Sequence, residues 1–136
     1  MTETPTSAIA APIMSNWSGV TLSIVNTNSL GEEIQRTFPG AKVVKALNTI
    51  WCGVMVNPVR VNGGDHHLFV CGNDADAKQK VTEILHSFGW QPKNILDLGD
   101  ISKARGTEMY LPLWLSIFGQ KKHGAFNLKI VEKSDE

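Results

Sequence analysis

Two polar, uncharged side chains follow a short run in which Val43, Val44, Ala46 and Leu47 are apolar. In KVVKALNTIWCG, residues 42–53, the apolar residues predict a buried strand over residues 42–47, and Asn48 and Thr49 come directly after it. Ligands of open α/β sheets bind just outside the carboxyl ends of the strands. Asn48 and Thr49 are therefore candidates for hydrogen bonding to a ligand. The competing interpretation, a strand-end turn in which both side chains bond the local backbone, stays open.

Other residues whose side chains could react or bind a ligand are interpreted as structural. The two cysteines, Cys52 and Cys71, form no CxxC pair, and a reduced, mostly buried thiol is the simpler reading of each. The histidines of Asp65-His66-His67 would point to opposite faces of a strand, so they make a poor pair of metal ligands. Gly72-Asn73-Asp74 precedes a helix, and capping by Asn73 or Asp74 is favoured over anion binding there.

The tryptophans suggest packing rather than catalysis. Trp51, Trp90 and Trp114 are interpreted as core or subunit-contact residues. A ring stacked on a ligand stays open as an alternative for Trp51 alone, because Trp51 adjoins Asn48 and Thr49.

The elements that must position these residues alternate between strand and helix. Further strands are predicted over residues 67–72 and 94–98, with a short one over 20–25 and an edge strand over 126–131. This order favours an α/β fold whose sheet is at least partly parallel.

Three helices are predicted between these strands. Ser29 and Glu32 have capping-box spacing at the start of the first, whose inner face would carry Ile34 and Phe38. Asn73-Asp74 opens the second, and Gly89 ends it. Pro112 should kink or divide the third, an apolar segment over residues 106–119 that needs cover from the core or from a second subunit. The predicted inner face of the second helix is Ala77, Val81, Ile84, Leu85 and Phe88.

Composition narrows the functional classes. The chain of 136 residues has 13 basic and 13 acidic side chains and no basic block, which argues against nucleic acid and against a polybasic membrane patch. No run approaches the length of a membrane span, and the first residues lack the features of a secretory signal. We therefore expect a cytoplasmic protein.

Three runs resemble a known family in the order in which they occur. GEEIQRTFPGAKVVKALNTI, FVCGNDADAKQKVTEILHSFGW and LGDISKARGTEMYLPLWL are similar to the carboxyl-terminal part of the deazaflavin-dependent NADP reductase family, over roughly residues 18–131. The cytosolic reductase domains of mammalian membrane metalloreductases are similar over the same runs. The resemblance implies a Rossmann-type fold, binding of NADP(H), and hydride transfer between the nicotinamide and a flavin or deazaflavin.

The resemblance also implies site residues. The family's block that matches ALNTI lies at the carboxyl edge of the sheet, where the nicotinamide meets the second ring system. Carried over by position, it points to Ala46, Asn48, Thr49 and Ile50 as cofactor-binding residues. Asn48 and Thr49 would bond the edge of a planar cofactor, and Ile50 would pack on its face. No catalytic residue is predicted, because the cofactors carry the reactivity and the protein supplies binding and orientation.

The sequence departs from the family in one large respect. No two of its twelve glycines stand two positions apart, so the G-x-G-x-x-G turn of a nucleotide-binding half is absent. We predict a loose tail over residues 1–17, a partial Rossmann-like domain holding the later strands of a dinucleotide-binding fold over 18–131, and a tail over 132–136. An exposed sheet edge would then favour a homo-oligomer. A non-catalytic α/β oligomerisation or binding module is the alternative function, and a flavin carrier without NADP is a third.

Overall fold

A three-stranded sheet forms the centre of the computed structural model, which describes residues 22–134. The strand order is β1-β2-β3, and helices cover both faces, so the predicted α/β class is confirmed. The strands are β1 (Val44–Ala46), β2 (Leu68–Gly72) and β3 (Ile95–Asp97). The helices are α1 (Leu30–Thr37), α2 (Cys52–Met55), α3 (Ala75–Ser87), α4 (Ala104–Met109) and α5 (Leu111–Lys121).

The strand directions differ from a uniformly parallel sheet. β2 and β3 are parallel and are joined by α3, as expected for a crossover connection. β1 runs antiparallel to β2, with Ala46 beside Val70. The carboxyl end of β1 therefore lies at the edge where β2 and β3 begin. The expectation that ALNTI sits at the shared carboxyl edge of the sheet is wrong for these three strands.

Two apolar clusters pack on opposite faces of the sheet. Alternate residues of a strand point to opposite faces, so Val44 and Ala46 join one cluster while Val43 joins the other. The larger cluster lies under α3 and includes Leu85 and Trp90. The smaller one brings β2 against α4 and the short 3₁₀ turn over Ile101–Lys103.

The capping and helix-ending residues in the sequence predicted these helix ends correctly. The Ser29 hydroxyl accepts a hydrogen bond from the Glu32 backbone N–H at 3.1 Å and so caps α1. Asp74 caps α3 in the same way, through the N–H of Ala77 at 2.8 Å. Gly89 follows α3 at a φ of 105°, the left-handed conformation that a glycine cap adopts at low cost. The predicted break at Pro112 is confirmed, since α4 ends at Met109 and α5 begins at Leu111.

Two inner-face predictions are wrong. Phe38 is 60% exposed, because it is the residue that ends α1 rather than part of its buried side. Ile84 is 51% exposed on α3, while its neighbour Leu85 is 1% exposed. Ile84 and Leu85 both fit the apolar periodicity of α3. Only the packing of the helix on the sheet shows which of the two side chains is buried.

Two strand predictions also fail where the structure describes them. Residues 22–25 form a bend rather than a strand, and residues 20 and 21 lie outside the described part. Residues 126–131 form no strand; a single backbone bond, from the His67 N–H to the Leu128 carbonyl oxygen at 2.9 Å, links them to the start of β2. The predicted tail over residues 1–17 lies outside the described residues, as do the last two residues of the tail over 132–136.

Candidate functional site

The predicted site residues form a tight turn directly after β1. The backbone N–H of Ile50 bonds the carbonyl oxygen of Leu47 at 3.1 Å and closes the turn. Leu47 adopts a φ of 65°. This left-handed conformation is uncommon for residues other than glycine and persists only when surrounding contacts hold it. The turn is therefore imposed by its packing rather than favoured by its own sequence.

Asn48 is anchored by a helix that is distant in sequence. Its side-chain Nδ2 donates to the backbone carbonyl oxygen of Thr107 in α4 at 2.8 Å. No hydrogen bond joins the Asn48 Oδ1 or the Thr49 hydroxyl to another residue of the described part. The alternative in which both side chains bond the local backbone is therefore wrong, and one amide oxygen and one hydroxyl remain for other partners.

The other two predicted site residues belong to the protein interior. Ala46 and Ile50 both contribute to the larger apolar cluster, and Ile50 is only 5% exposed. Thr49 is 3% exposed. The four residues are thus close together, but Ala46 and Ile50 support the turn from the core side. Asn48 is the one that keeps more than a small part of its surface accessible.

A buried ion pair lies beside this turn, and sequence reasoning missed it. Lys45 in β1 is 3% exposed, and its ammonium group is 3.1 Å from a carboxylate oxygen of Glu108 in α4. Glu108 also accepts hydrogen bonds from the backbone N–H groups of Leu30 at 2.8 Å and Gly31 at 3.0 Å. A carboxylate at a helix amino terminus is favourable, because the helix dipole and the unpaired N–H groups attract negative charge.

A second ion pair joins α1 to α4. Arg105 donates two hydrogen bonds to the Glu32 carboxylate, at 2.9 Å and 2.7 Å, and the Ser29 hydroxyl donates a third at 2.7 Å. The hydrogen bonds from Arg105 lower the pKa of the Glu32 carboxyl, with burial acting in the opposite direction. Glu32 was correctly placed at the start of α1, but its main partner lies 73 residues away.

Cys71 lies opposite Lys45 in the pairing of β1 with β2. Burial raises the pKa of the Cys71 thiol to about 11, although the nearby positive charge of Lys45 acts to lower it. The thiol is therefore protonated at neutral pH and is a poor nucleophile. Cys52 is exposed at the start of α2, so the prediction of mostly buried thiols holds for Cys71 only.

Trp51 packs against protein rather than facing an open site. A Cβ added at Gly124 would come within 2.5 Å of the Trp51 ring, and one at Gly53 within 2.4 Å, so the ring is held between two glycines. The Arg60 guanidinium lies 5.3 Å from the ring centre. This packing supports the structural interpretation of Trp51.

The two adjacent histidines bind the segment around Asn127. His66 is buried, and its Nε2 donates to the Pro58 carbonyl oxygen at 2.8 Å, since a carbonyl can only accept. Its Nδ1 therefore accepts from the Asn127 Nδ2, at 2.7 Å. The Nδ1 of His67 accepts from the backbone N–H of Ile130 at 3.1 Å. Both rings are structural, and no cluster of three or more metal-binding side chains occurs within residues 22–134.

Comparison with known proteins identifies relatives that match part of the chain. A crystal structure from Arthrobacter sp. FB24, provisionally assigned as an F420-dependent NADP-reductase, is 55% identical, with a TM-score of 0.78 over 82% of this chain and 50% of that one. Metalloreductase STEAP3 from Rattus norvegicus is 32% identical over 90 residues, which are 63% of this chain and 17% of STEAP3. The chain thus spans half the length of the solved relative and a smaller part of the metalloreductase.

A further solved structure is a weaker match. The hypothetical protein SMa0349 from Sinorhizobium meliloti is 35% identical over 53% of this chain and 34% of that one, with a TM-score of 0.42. No protein-family model matches the chain.

The three-stranded sheet, its flanking helices and the match to the Arthrobacter structure together define a Rossmann-like α/β fold. The resemblance seen in the sequence is confirmed: over part of its length the chain is similar to a structure provisionally assigned as an F420-dependent NADP-reductase, and more distantly to a metalloreductase. Within residues 22–134, no helix is both long enough and apolar enough to cross a membrane.

Proposed function

We propose that this chain forms the cofactor-facing edge of an NADP-dependent reductase, within a domain over residues 18–131. The observation that carries the proposal is the 55% identity to a protein provisionally assigned as an F420-dependent NADP-reductase. That identity extends over 82% of this chain, with a TM-score of 0.78. The soluble, cytoplasmic setting predicted from the sequence belongs to the same proposal.

The side chains at the turn suit the edge of a planar cofactor. A nicotinamide carboxamide, like the ring edge of a flavin or deazaflavin, presents both donors and acceptors. Within residues 22–134 the Asn48 Oδ1 accepts no hydrogen bond, and the Thr49 hydroxyl can donate or accept. Ala46 and Ile50 hold the turn from the core side.

The chemistry asked of these residues is orientation. When bound, NADP(H) and the flavin or deazaflavin supply the hydride donor and acceptor. Asn48 would fix the position of the ring edge from the accessible side of the turn, and Thr49, which is only 3% exposed, would contribute through its hydroxyl alone. The apolar cluster below them would keep water from that side of the turn. No acid or base residue is assigned, because the proposed transfer passes directly between two rings.

The test is titration of the chain with NADPH, followed by tryptophan fluorescence and calorimetry. Asn48→Ala and Thr49→Val should each weaken binding roughly three- to tenfold, the effect of one lost hydrogen bond between neutral groups. Asn57→Ala and Thr82→Val are matched controls, since Asn57 is exposed without a capping bond and the Thr82 hydroxyl bonds only its own helix. Equal effects in site and control variants, or no binding by the folded chain, would reject the proposal.

The alternative, a non-catalytic α/β oligomerisation or binding module, is favoured by α5. None of its residues is fully buried, although the helix is rich in leucine, and Leu113 is 55% exposed. The Tyr110 hydroxyl and the Trp114 indole nitrogen are buried without a hydrogen-bond partner in the described part of the chain. Sedimentation across a wide concentration range, combined with the NADPH titration, separates a homo-oligomer without cofactor affinity from a reductase edge.

A further inference from the structure

Glu108 connects three elements through one carboxylate. Its Oε2 accepts from the backbone N–H of Leu30 in α1, and its Oε1 accepts from that of Gly31 and lies 3.1 Å from the Lys45 ammonium in β1. We propose that Glu108 is a positioning residue, which sets where Asn48 lies without itself touching a cofactor. Its role in cofactor binding rests on the proposed function, whereas its effect on Asn48 does not.

The Glu108 carboxylate matters for the position of β1 because it neutralises the buried Lys45. The Lys45 side chain is 3% exposed, and Glu108 is its ion-pair partner within the described residues. A buried charge whose partner is removed is strongly destabilising, because its lost hydration is no longer offset. Without Glu108, the Lys45 ammonium group must therefore move toward solvent, and this movement disturbs the strand that leads into the turn.

The two residues that α4 holds, Lys45 and Asn48, flank Leu47, the residue with the unfavourable backbone conformation. Glu108 holds Lys45, two positions before Leu47, and the Thr107 carbonyl oxygen holds Asn48, one position after it. Leu47 has a φ of 65° and would not adopt this conformation readily without restraint. Because Thr107 and Glu108 are consecutive in α4, one helix fixes both ends of the strained step.

The same carboxylate fixes α4 relative to α1. Since the Leu30 and Gly31 N–H groups belong to the first turn of α1, Glu108 gives that helix part of its amino-terminal capping. A shift of α4 would break these two hydrogen bonds as well as the ion pair. The position of Asn48 is therefore tied to two separate elements through Glu108.

The test is Glu108→Gln, observed through the side-chain amide resonances of Asn48, which are assigned by their loss in Asn48→Asp. We expect these resonances to shift toward those of a free asparagine amide, because the bond to Thr107 lengthens. Glu83→Gln is the matched control, because it removes the same negative charge on the exposed side of α3. Glu83 has no ion pair among the described residues. Unchanged Asn48 resonances in Glu108→Gln would overturn the proposal.

A second variant keeps the test decisive if Glu108→Gln does not fold. Lys45→Met combined with Glu108→Gln removes both charges, so no unpaired charge stays buried. This double variant still lacks the link between β1 and α4, and the Asn48 resonances should shift in it too. Native resonances in the folded double variant would equally refute a positioning role.

NADPH binding is measured in parallel and distinguishes two failures. We expect a roughly three- to tenfold weaker affinity in Glu108→Gln, the same range as for direct loss of the Asn48 contact. If the unaltered chain binds no NADPH while the Asn48 resonances still respond to Glu108→Gln, the proposed function fails and the positioning role stands. If NADPH binds and Asn48 does not respond, the positioning role fails alone.

Discussion

Two neighbouring residues of α3 provide a sharp test of the fold. Leu85 is 1% exposed and Ile84 is 51% exposed, although both are large aliphatic side chains in the same helix. We predict that Leu85→Ala is strongly destabilising and that Ile84→Ala is nearly neutral. The comparison controls for helix propensity, because each substitution replaces an aliphatic residue with alanine at adjacent helical positions.

The magnitude follows from burial. Truncating a fully buried leucine removes its transfer free energy and leaves a cavity, at about 2–5 kcal/mol. Leu85 packs in the cluster with Val81 and Trp90, under the sheet, so a value near 3 kcal/mol is expected. With roughly 2.1 cal/mol/K per residue of unfolding entropy, a chain of 136 residues would then lose about 10 °C in Tm. Ile84→Ala should stay within about 1 kcal/mol.

The assay is urea unfolding followed by tryptophan fluorescence and by circular dichroism. The midpoint should fall for Leu85→Ala with little change in the dependence of the free energy of unfolding on urea concentration, because the folded and unfolded surfaces stay similar. Similar midpoints for the two variants, or a larger loss for Ile84→Ala, would show that α3 presents a different face to the sheet.

Two further predictions follow from perturbed ionisable groups. Because Arg105 lowers the pKa of Glu32 in the folded state, the ion pair stabilises the protein above the usual pKa of a glutamate, about 4.5, and this contribution is lost as pH falls below that value. Arg105→Gln should therefore be less stable than the unaltered chain at pH 7 in thermal unfolding, with a difference that narrows toward pH 3; a constant difference would contradict the pairing. At pH 7.5 a disulfide reagent such as DTNB should modify Cys52 rapidly and Cys71 only after unfolding, because Cys71 is buried with a pKa of about 11. Two fast-reacting thiols in the folded chain would refute that prediction.

Signals that act over a few residues were readable from the sequence. Ser29 and Asp74 cap helices because their side chains each reach a backbone group only three positions away. Gly89 and Pro112 end or divide helices through their own backbone geometry. Each of these effects depends on a short segment, so one sequence suffices to predict it.

Contacts between residues far apart in the sequence could not be predicted in this way. Lys45 stands in a run of buried residues, and nothing near it in the sequence indicates that Glu108 neutralises it. The antiparallel direction of β1 depends on how the whole connection returns from Ala46 to β2, and a turn motif within it, such as Asn62-Gly63, predicts only a local reversal. At the site itself, the turn at Asn48 was predicted, but its anchor on Thr107, 59 residues away, was not.

The contacts around His67 bear on the order in which the chain can fold during synthesis. The start of the central strand is completed by hydrogen bonds to residues roughly 60 positions downstream: the His67 N–H bonds Leu128, and the His67 carbonyl oxygen bonds the Asn127 side chain. By contrast, α3 can form as soon as its own residues emerge, because its hydrogen bonds are local. During synthesis, α3 can therefore form before the start of β2 has all its hydrogen-bond partners. The apolar residues of β2 can make non-native contacts until residue 130 has been synthesised and released from the ribosome.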